Sequence, residues 1–120
     1  MDIIVCIKRV VATDTRVKIG ADGRHIDDSG VQYIMAPYDE IAVEKAIQLR
    51  DAAGDGKVPV LTVGPAAATK DLRTALAMGA DEALHVVTED ELDAQATATT
   101  IVAALDGRTF DVLLLGKQAT

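Results

Sequence analysis

The 120-residue chain carries a formal charge of −7 and is 49% hydrophobic and 26% charged, which suits one folded domain and excludes a disordered polymer. Aromatic residues make up 2%, with no Trp, so a base-stacking platform is not expected. The acidic balance argues against nucleic-acid or anionic-membrane binding. Cys6 is the single cysteine, which rules out an internal disulfide framework or a Cys-rich zinc site. The first apolar run follows Asp2 rather than a basic segment, and no run approaches the roughly 18–20 apolar residues of a membrane span. A cytoplasmic protein, or a mature organellar one, is the expectation.

In chain order, Ile3-Ile4-Val5-Cys6-Ile7 opens the sequence as a short aliphatic strand. Residues 9–37 follow and are too long for a plain loop. Within them Val17-Lys18-Ile19 and Arg24-His25-Ile26 flank Asp22-Gly23, predicting a small hairpin inserted at about 11–35. The first 25 residues hold five basic side chains (Lys8, Arg9, Arg16, Lys18, Arg24) against three acidic ones. That local excess is either a solvated face or a strip turned toward an anionic ligand or acidic partner. Pro37 and Asp39 then start a helix carrying Ala42, Ala46, Leu49 and Ala53 at helical spacing, with Gly54 as its stop.

Val58-Pro59-Val60-Leu61-Thr62-Val63 is the second strand, with Pro59 tolerated near its start. Leu72, Ala75 and Leu76 mark a second helix ended by Gly79. Ala83-Leu84-His85-Val86-Val87 is the third strand. Ala94, Ala98, Ile101 and Leu105 mark a third helix, for which Thr88 as N-cap and Glu91 three residues later predict a capping box. Val112-Leu113-Leu114-Leu115 is the last strand. None of the four runs alternates strictly, as expected for parallel strands covered on both faces. The alternation of strand and helix predicts right-handed crossovers and a doubly wound, mainly parallel, Rossmann-like α/β domain over residues 1–120.

Common catalytic signatures are missing. There is no Gly-x-Gly-x-x-Gly, no phosphate loop and no nucleophile elbow. Gly116-Lys117-Gln118 lacks the flanking residues a phosphate loop needs. His25 and His85 lack His or Cys neighbours at ligand spacing, so no metal site is expected, and His85 reads as a partly buried, satisfied histidine. Cys6 reads as small apolar filler; a reactive thiolate would need Lys8 or Arg9 to lower its pKa. Geometry supplies the remaining argument. Ligands of open α/β sheets bind beyond the strand C-termini, where strand order reverses. Cys6 to Arg9, Val63-Gly64-Pro65, the loop after Val87 and Gly116-Lys117-Gln118 would gather there, the first and last flanking the switch point. Glycines and helix N-termini at such a place suit a nucleotide or another anion.

At these same segments the sequence resembles the beta subunit of electron transfer flavoproteins. Ile4-Val5-Cys6-Ile7-Lys8-Arg9-Val10 is similar to its opening strand and loop. Ala36-Pro37-Tyr38-Asp39-Glu40-Ile41-Ala42-Val43-Glu44 is similar to its Asn-Pro-Phe-Asp-Glu-Ile-Ala-Val-Glu signature. Leu72 to Asp81 and Leu115-Gly116-Lys117-Gln118-Ala119 match further motifs, and the resemblance runs through all 120 residues in order.

The resemblance implies an electron carrier rather than an enzyme, in which no residue of this chain acts as acid, base or nucleophile. Its alpha subunit holds most of the FAD, and the heterodimer passes electrons from dehydrogenases to a quinone oxidoreductase or another acceptor. The beta subunit buries a structural AMP, replaced by a second FAD in electron-bifurcating relatives. By position, Cys6, Ala36, Pro37, Tyr38, Asp39 and Val63 fall on its nucleotide contacts, with Gly64, Gly116, Lys117 and Gln118 beside them, and Tyr38 stands where an aromatic approaches the flavin. Tyr38 alternatively packs between hairpin and helix. Ala36 replaces the usual Asn, losing a side-chain hydrogen bond. Family members are longer, and the loop that cradles the AMP phosphate, the dehydrogenase-docking loop and the arm that embraces the alpha subunit follow the segment matched here. AMP binding by this chain alone is therefore expected to be weak or absent. Two other readings are a stand-alone ATP-binding universal-stress-type protein, which would need a glycine-rich phosphate motif after its fourth strand, and a small adenylate-handling enzyme, which would need catalytic residues not found here.

Overall fold

The computed structural model describes residues 1–119. Strand β1 (Ile3–Cys6) pairs in parallel with β4 (Pro59–Gly64) on one side and β6 (Val112–Leu115) on the other, and β5 (Glu82–Val87) extends the sheet beyond β4. The order is β5-β4-β1-β6. From β1 the chain steps outward to β4 and β5, then returns to place β6 on the far side of β1. Strand order therefore reverses between β1 and β6, as the expected switch point requires.

Alternate residues of β1 feed two cores. Ile3, Val5 and Ile7 face Val43 and Ala46 of α1 (Pro37–Ala53) and Leu72 and Ala75 of α2 (Thr69–Met78). Ile4, Cys6 and Leu61 face the opposite way, toward Ile101, Ala104 and Leu105 of α3 (Ala94–Leu105). The expectation of strands covered on both faces holds for β1 and for most of β4, whereas β5 and β6 are edge strands and stay half-exposed. On α1 the fully buried apolar residues are Val43 and Ala46; Ala42 and Leu49 pack at the margin, and Ala53 is exposed.

Local signals explain the helix ends. Pro37 occupies the first turn of α1, where its missing N–H is harmless. Asp39 and Glu40 place negative charge by the positive end of the helix, and Arg50 lies in its last turn. Gly54 closes α1 in the left-handed conformation (φ 86°), its N–H donating to the carbonyls of Arg50 and Asp51. A single 3₁₀ turn, Ala66–Ala68, leads into α2.

The predicted capping box of α3 is corrected. The helix begins at Ala94, and Asp93 is its N-cap, accepting from the Ala96 N–H at 2.7 Å. Thr88 instead accepts from the Asp90 N–H within the loop, and Glu91 reaches His25. The loop after β5 needs all of 88–93 to cross from sheet to helix, so the cap falls at the last acidic residue before the apolar stripe.

The insertion is antiparallel, but its paired strands lie at its base. β2 (Arg9–Val11) pairs with β3 (Tyr33–Met35), and the Arg9 guanidinium stacks 3.6 Å above the Tyr33 ring. At the tip the expected strands reduce to one bridge, Ile19 to Ile26, closed by Gly20 N–H to His25 carbonyl and Asp27 N–H to Lys18 carbonyl, both 2.7 Å. Asp22 organises that turn by accepting from the N–H groups of Arg24 and His25. Among the described residues, no helix is long and apolar enough to cross a membrane.

The N-terminal ends of the strands are tied by carboxylates. Asp2 accepts from the Lys57 N–H at 2.9 Å and Asp111 from the Asp2 N–H at 2.8 Å. Asp81 accepts from the Val58 N–H at 2.7 Å and from Arg50 at 2.8 Å. Burial pushes Asp81 upward, but the Val58 N–H and Arg50 outweigh it and hold its carboxyl below the ordinary range.

Candidate functional site at the strand C-termini

A cleft of about 600 Å³ opens over the C-terminal ends of β1, β4 and β6. Cys6, Ile7 and Leu61 contribute apolar lining; Lys8 and Pro65 line it from the loops after β1 and β4, Val63 from the end of β4 and Arg9 from the start of β2. Asp39, Leu115, Gly116, Gln118 and Ala119 form one side. Thr88, Asp90, Leu92 and Asp93, with Ala94, Thr97, Ala98 and Ile101 of α3, form the other. A volume of this order suits a small organic ligand such as a nucleoside, since ligand pockets commonly span about 300–1,000 Å³.

Five of the ten residues nominated from sequence line this space: Cys6, Asp39, Val63, Gly116 and Gln118. The others stand beside it. Ala36 is fully buried as the N-cap of α1, without a side-chain cap, and its N–H donates to the Lys8 carbonyl at 2.8 Å. Pro37 follows it. Tyr38 is 39% exposed on the outside of the first helical turn and does not line the cleft. Gly64 carries the β4 backbone past the rim, its carbonyl accepting from the Thr88 N–H at 2.9 Å. Lys117 is exposed beyond Gly116.

Three polar side chains hold the cleft's framework. Thr62 donates its hydroxyl to the Ile7 carbonyl at 2.7 Å, tying the end of β4 to that of β1. His85 points Nε2 at the carbonyls of Gly64 and Pro65, 3.2 and 3.1 Å away, so the protonated nitrogen there serves both. This is the satisfied, half-buried histidine the sequence suggested. Asp39 accepts from the Lys8 N–H at 2.8 Å and the Gly116 N–H at 3.0 Å. Burial raises its carboxyl above the ordinary range, with those two donors and the Lys8 charge opposing. Burial and then the Asp39 charge push the Cys6 thiol up to about 11. Cys6 is therefore a neutral thiol at physiological pH, and the apolar-filler reading holds over the thiolate one.

Sequence periodicity does not mark α3 as cleft lining. Ala98 and Ile101 belong to the apolar stripe that periodicity assigns to core, and the stripe does pack inward at Ile101. Its N-terminal half overhangs the strand tips instead, a difference set by where the helix starts. The backbone donors expected at the switch point are also fewer than the glycines suggested, because Asp39 occupies both the Lys8 and the Gly116 N–H.

Comparison with known proteins agrees with this architecture. The electron transfer flavoprotein domain model matches residues 24–120. An electron transfer flavoprotein subunit beta from Bradyrhizobium diazoefficiens is 36% identical over 119 residues, covering 99% of this chain and 48% of that protein. The Bacillus subtilis subunit beta is 39% identical over 122 residues, covering 99% and 46%. The Homo sapiens subunit beta is 33% identical over 121 residues, covering 98% and 48%. The chain spans about half the length of the curated relatives it matches. With a parallel sheet, a reversal of strand order and the motif segments gathered at one edge, the chain belongs to the electron transfer flavoprotein domain family and corresponds to the N-terminal half of its beta subunits.

Proposed function

We propose that this chain supplies the sheet, one wall of an AMP pocket and part of the alpha-subunit interface of an electron transfer flavoprotein. The observation that carries the reading is the cleft at the strand tips, where Cys6, Asp39, Val63, Gly116 and Gln118 converge from segments far apart in sequence. Its lining near Cys6, Leu61 and Val63 is apolar and fits a purine and ribose. The basic groups that line it, Lys8 and Arg9, stand at the end of β1 and offer the attraction a phosphate needs. Electron transfer itself belongs to the FAD that the alpha subunit would hold. The residues here would bind, orient and exclude water, and the exposed Tyr38 would meet the flavin edge. Donor dehydrogenases and a quinone oxidoreductase or other acceptor would engage the assembled heterodimer.

The test is assembly. Mixed with an electron transfer flavoprotein alpha subunit, the chain is expected to co-purify with it and retain yellow FAD. A chain that elutes alone and hydrolyses ATP would instead support an adenylate-handling or stress-type protein.

A further inference from the structure

Asp39 is 7% exposed, and its two carboxylate oxygens are directed at backbone: Oδ2 accepts from Lys8 and Oδ1 from Gly116. These partners lie 31 and 77 residues away along the chain. They follow β1 and β6, the neighbours between which strand order reverses. The fit is close enough to dictate residue type. A Cβ on Gly116 would lie 2.1 Å from Asp39 Oδ1 and 2.8 Å from the Asp39 backbone nitrogen, so only glycine lets the loop after β6 approach. Both oxygens are engaged in directed bonds to backbone N–H groups.

We propose that Asp39 is a positioning residue: it clasps the loops after β1 and β6 to the first turn of α1 as one unit, which sets that side of the cleft and withholds two backbone donors from any bound anion. The idea goes beyond the nucleotide reading and rests on it only in treating the cleft as a binding site. A phosphate placed at the β1–β6 junction would meet a carboxylate and no free N–H from Lys8 or Gly116. It is thereby steered away from those backbone groups and left to the Lys8 and Arg9 side chains that line the cleft. Two further titratable groups act on or answer to Asp39: the Lys8 ammonium, which opposes its neutralisation, and the Cys6 thiol.

The test is a pH titration of the ¹⁵N-labelled chain followed at individual amides. The Lys8 and Gly116 resonances are expected to shift together with one midpoint, as the shared acceptor takes a proton, and to lose that response in Asp39→Asn. Separate midpoints, or a response that survives in Asp39→Asn, would overturn the clasp. Asp39→Asn keeps the shape but cannot accept both bonds. At least one of the two amides should then exchange with solvent about tenfold faster or more, as expected on losing a charge-assisted bond, while amides of the β1–β4 ladder keep their protection. Loss of protection throughout would make Asp39 a residue that holds the fold, contrary to the proposal. Gly116→Ala should likewise expose the Lys8 amide, and an unchanged Lys8 amide in that variant would contradict coupling. Assembly with an electron transfer flavoprotein alpha subunit is tested in parallel. Co-titrating amides in a chain that does not assemble would remove the proposed function and leave the clasp, whereas assembly with independent amides would remove the clasp alone.

Discussion

The two faces of the parallel sheet differ in how completely they are covered. On one, α1 and α2 bury Ile3, Val5, Val58, Val60, Val43, Ala46 and Ala75 to full exclusion of solvent. On the other, α3 stands alone over Ile4, Cys6 and Leu61, and no residue of α3 is itself buried. Val102 is 70% exposed. Both faces draw on the same strands, whose residues alternate between them, so strand sequence is not the source of the difference. The cause is helix number and length: two helices, one of 17 residues, against one of 12. Stability should therefore reside on the α1–α2 face, leaving the α3 side, which forms a wall of the cleft, freer to adjust.

The largest effect should come from truncation on the well-covered face. Leu72→Ala is expected to destabilise by about 2–5 kcal/mol, the range for a buried leucine, and Ile101→Ala by about 1 kcal/mol because its site is already half-open. Urea midpoints of the two variants measure this directly, and equal losses would break the comparison. Next is Asp81→Asn, which weakens the tie from Arg50 of α1 to the start of β4. A loss of about 1 kcal/mol is expected, reduced from a buried charge-assisted bond by solvent screening. Since the Asp81 carboxyl is held below its ordinary range in the fold, its contribution is present above the unfolded-state pKa. It fades as pH falls through the lower folded value, so the gap between Asp81→Asn and the parent should close on acidification.

Amide exchange sharpens the contrast further. Amides of α3 should open at a lower free energy than those in the middle of α1, and equal protection would contradict the difference between faces. Val102→Ser, on the outer side of α3, should change stability by less than about 0.5 kcal/mol. The smallest effect concerns the arm. His25 is bracketed by Asp22 and Glu91, and hydrogen bonds first to Asp22 and then to Glu91 raise its pKa. That contact is fully made below the unfolded-state pKa of histidine and lost as pH rises through the raised value. His25→Gln should therefore speed amide exchange at the arm tip below that pH and not above it, with the urea midpoint unchanged.

The strands and the switch point were legible because their signals are local: continuous aliphatic runs, Pro37 before one helix and Gly54 after it. The short β2 and β3 were not, since three residues each carry too little pattern and are defined by pairing with one another. Thr88 and Glu91 formed a plausible capping box on spacing alone, but the distance from β5 to α3 decided where the cap fell. At the cleft, the chain-end rule for α/β sheets located the loops correctly. The hydrogen bonds of Asp39 were beyond that reach: its two oxygens accept from Lys8 and Gly116, partners that only the folded chain brings within bonding distance.

The central claim is that the edge holding Cys6, Val63 and Gly116 faces an adenine nucleotide. AMP titrated into the labelled chain measures it most directly. The account predicts amide shifts centred on Cys6, Val63, Gly116 and the start of α3. Shifts centred at the opposite strand edge around Asp2, Asp81 and Asp111 would contradict it.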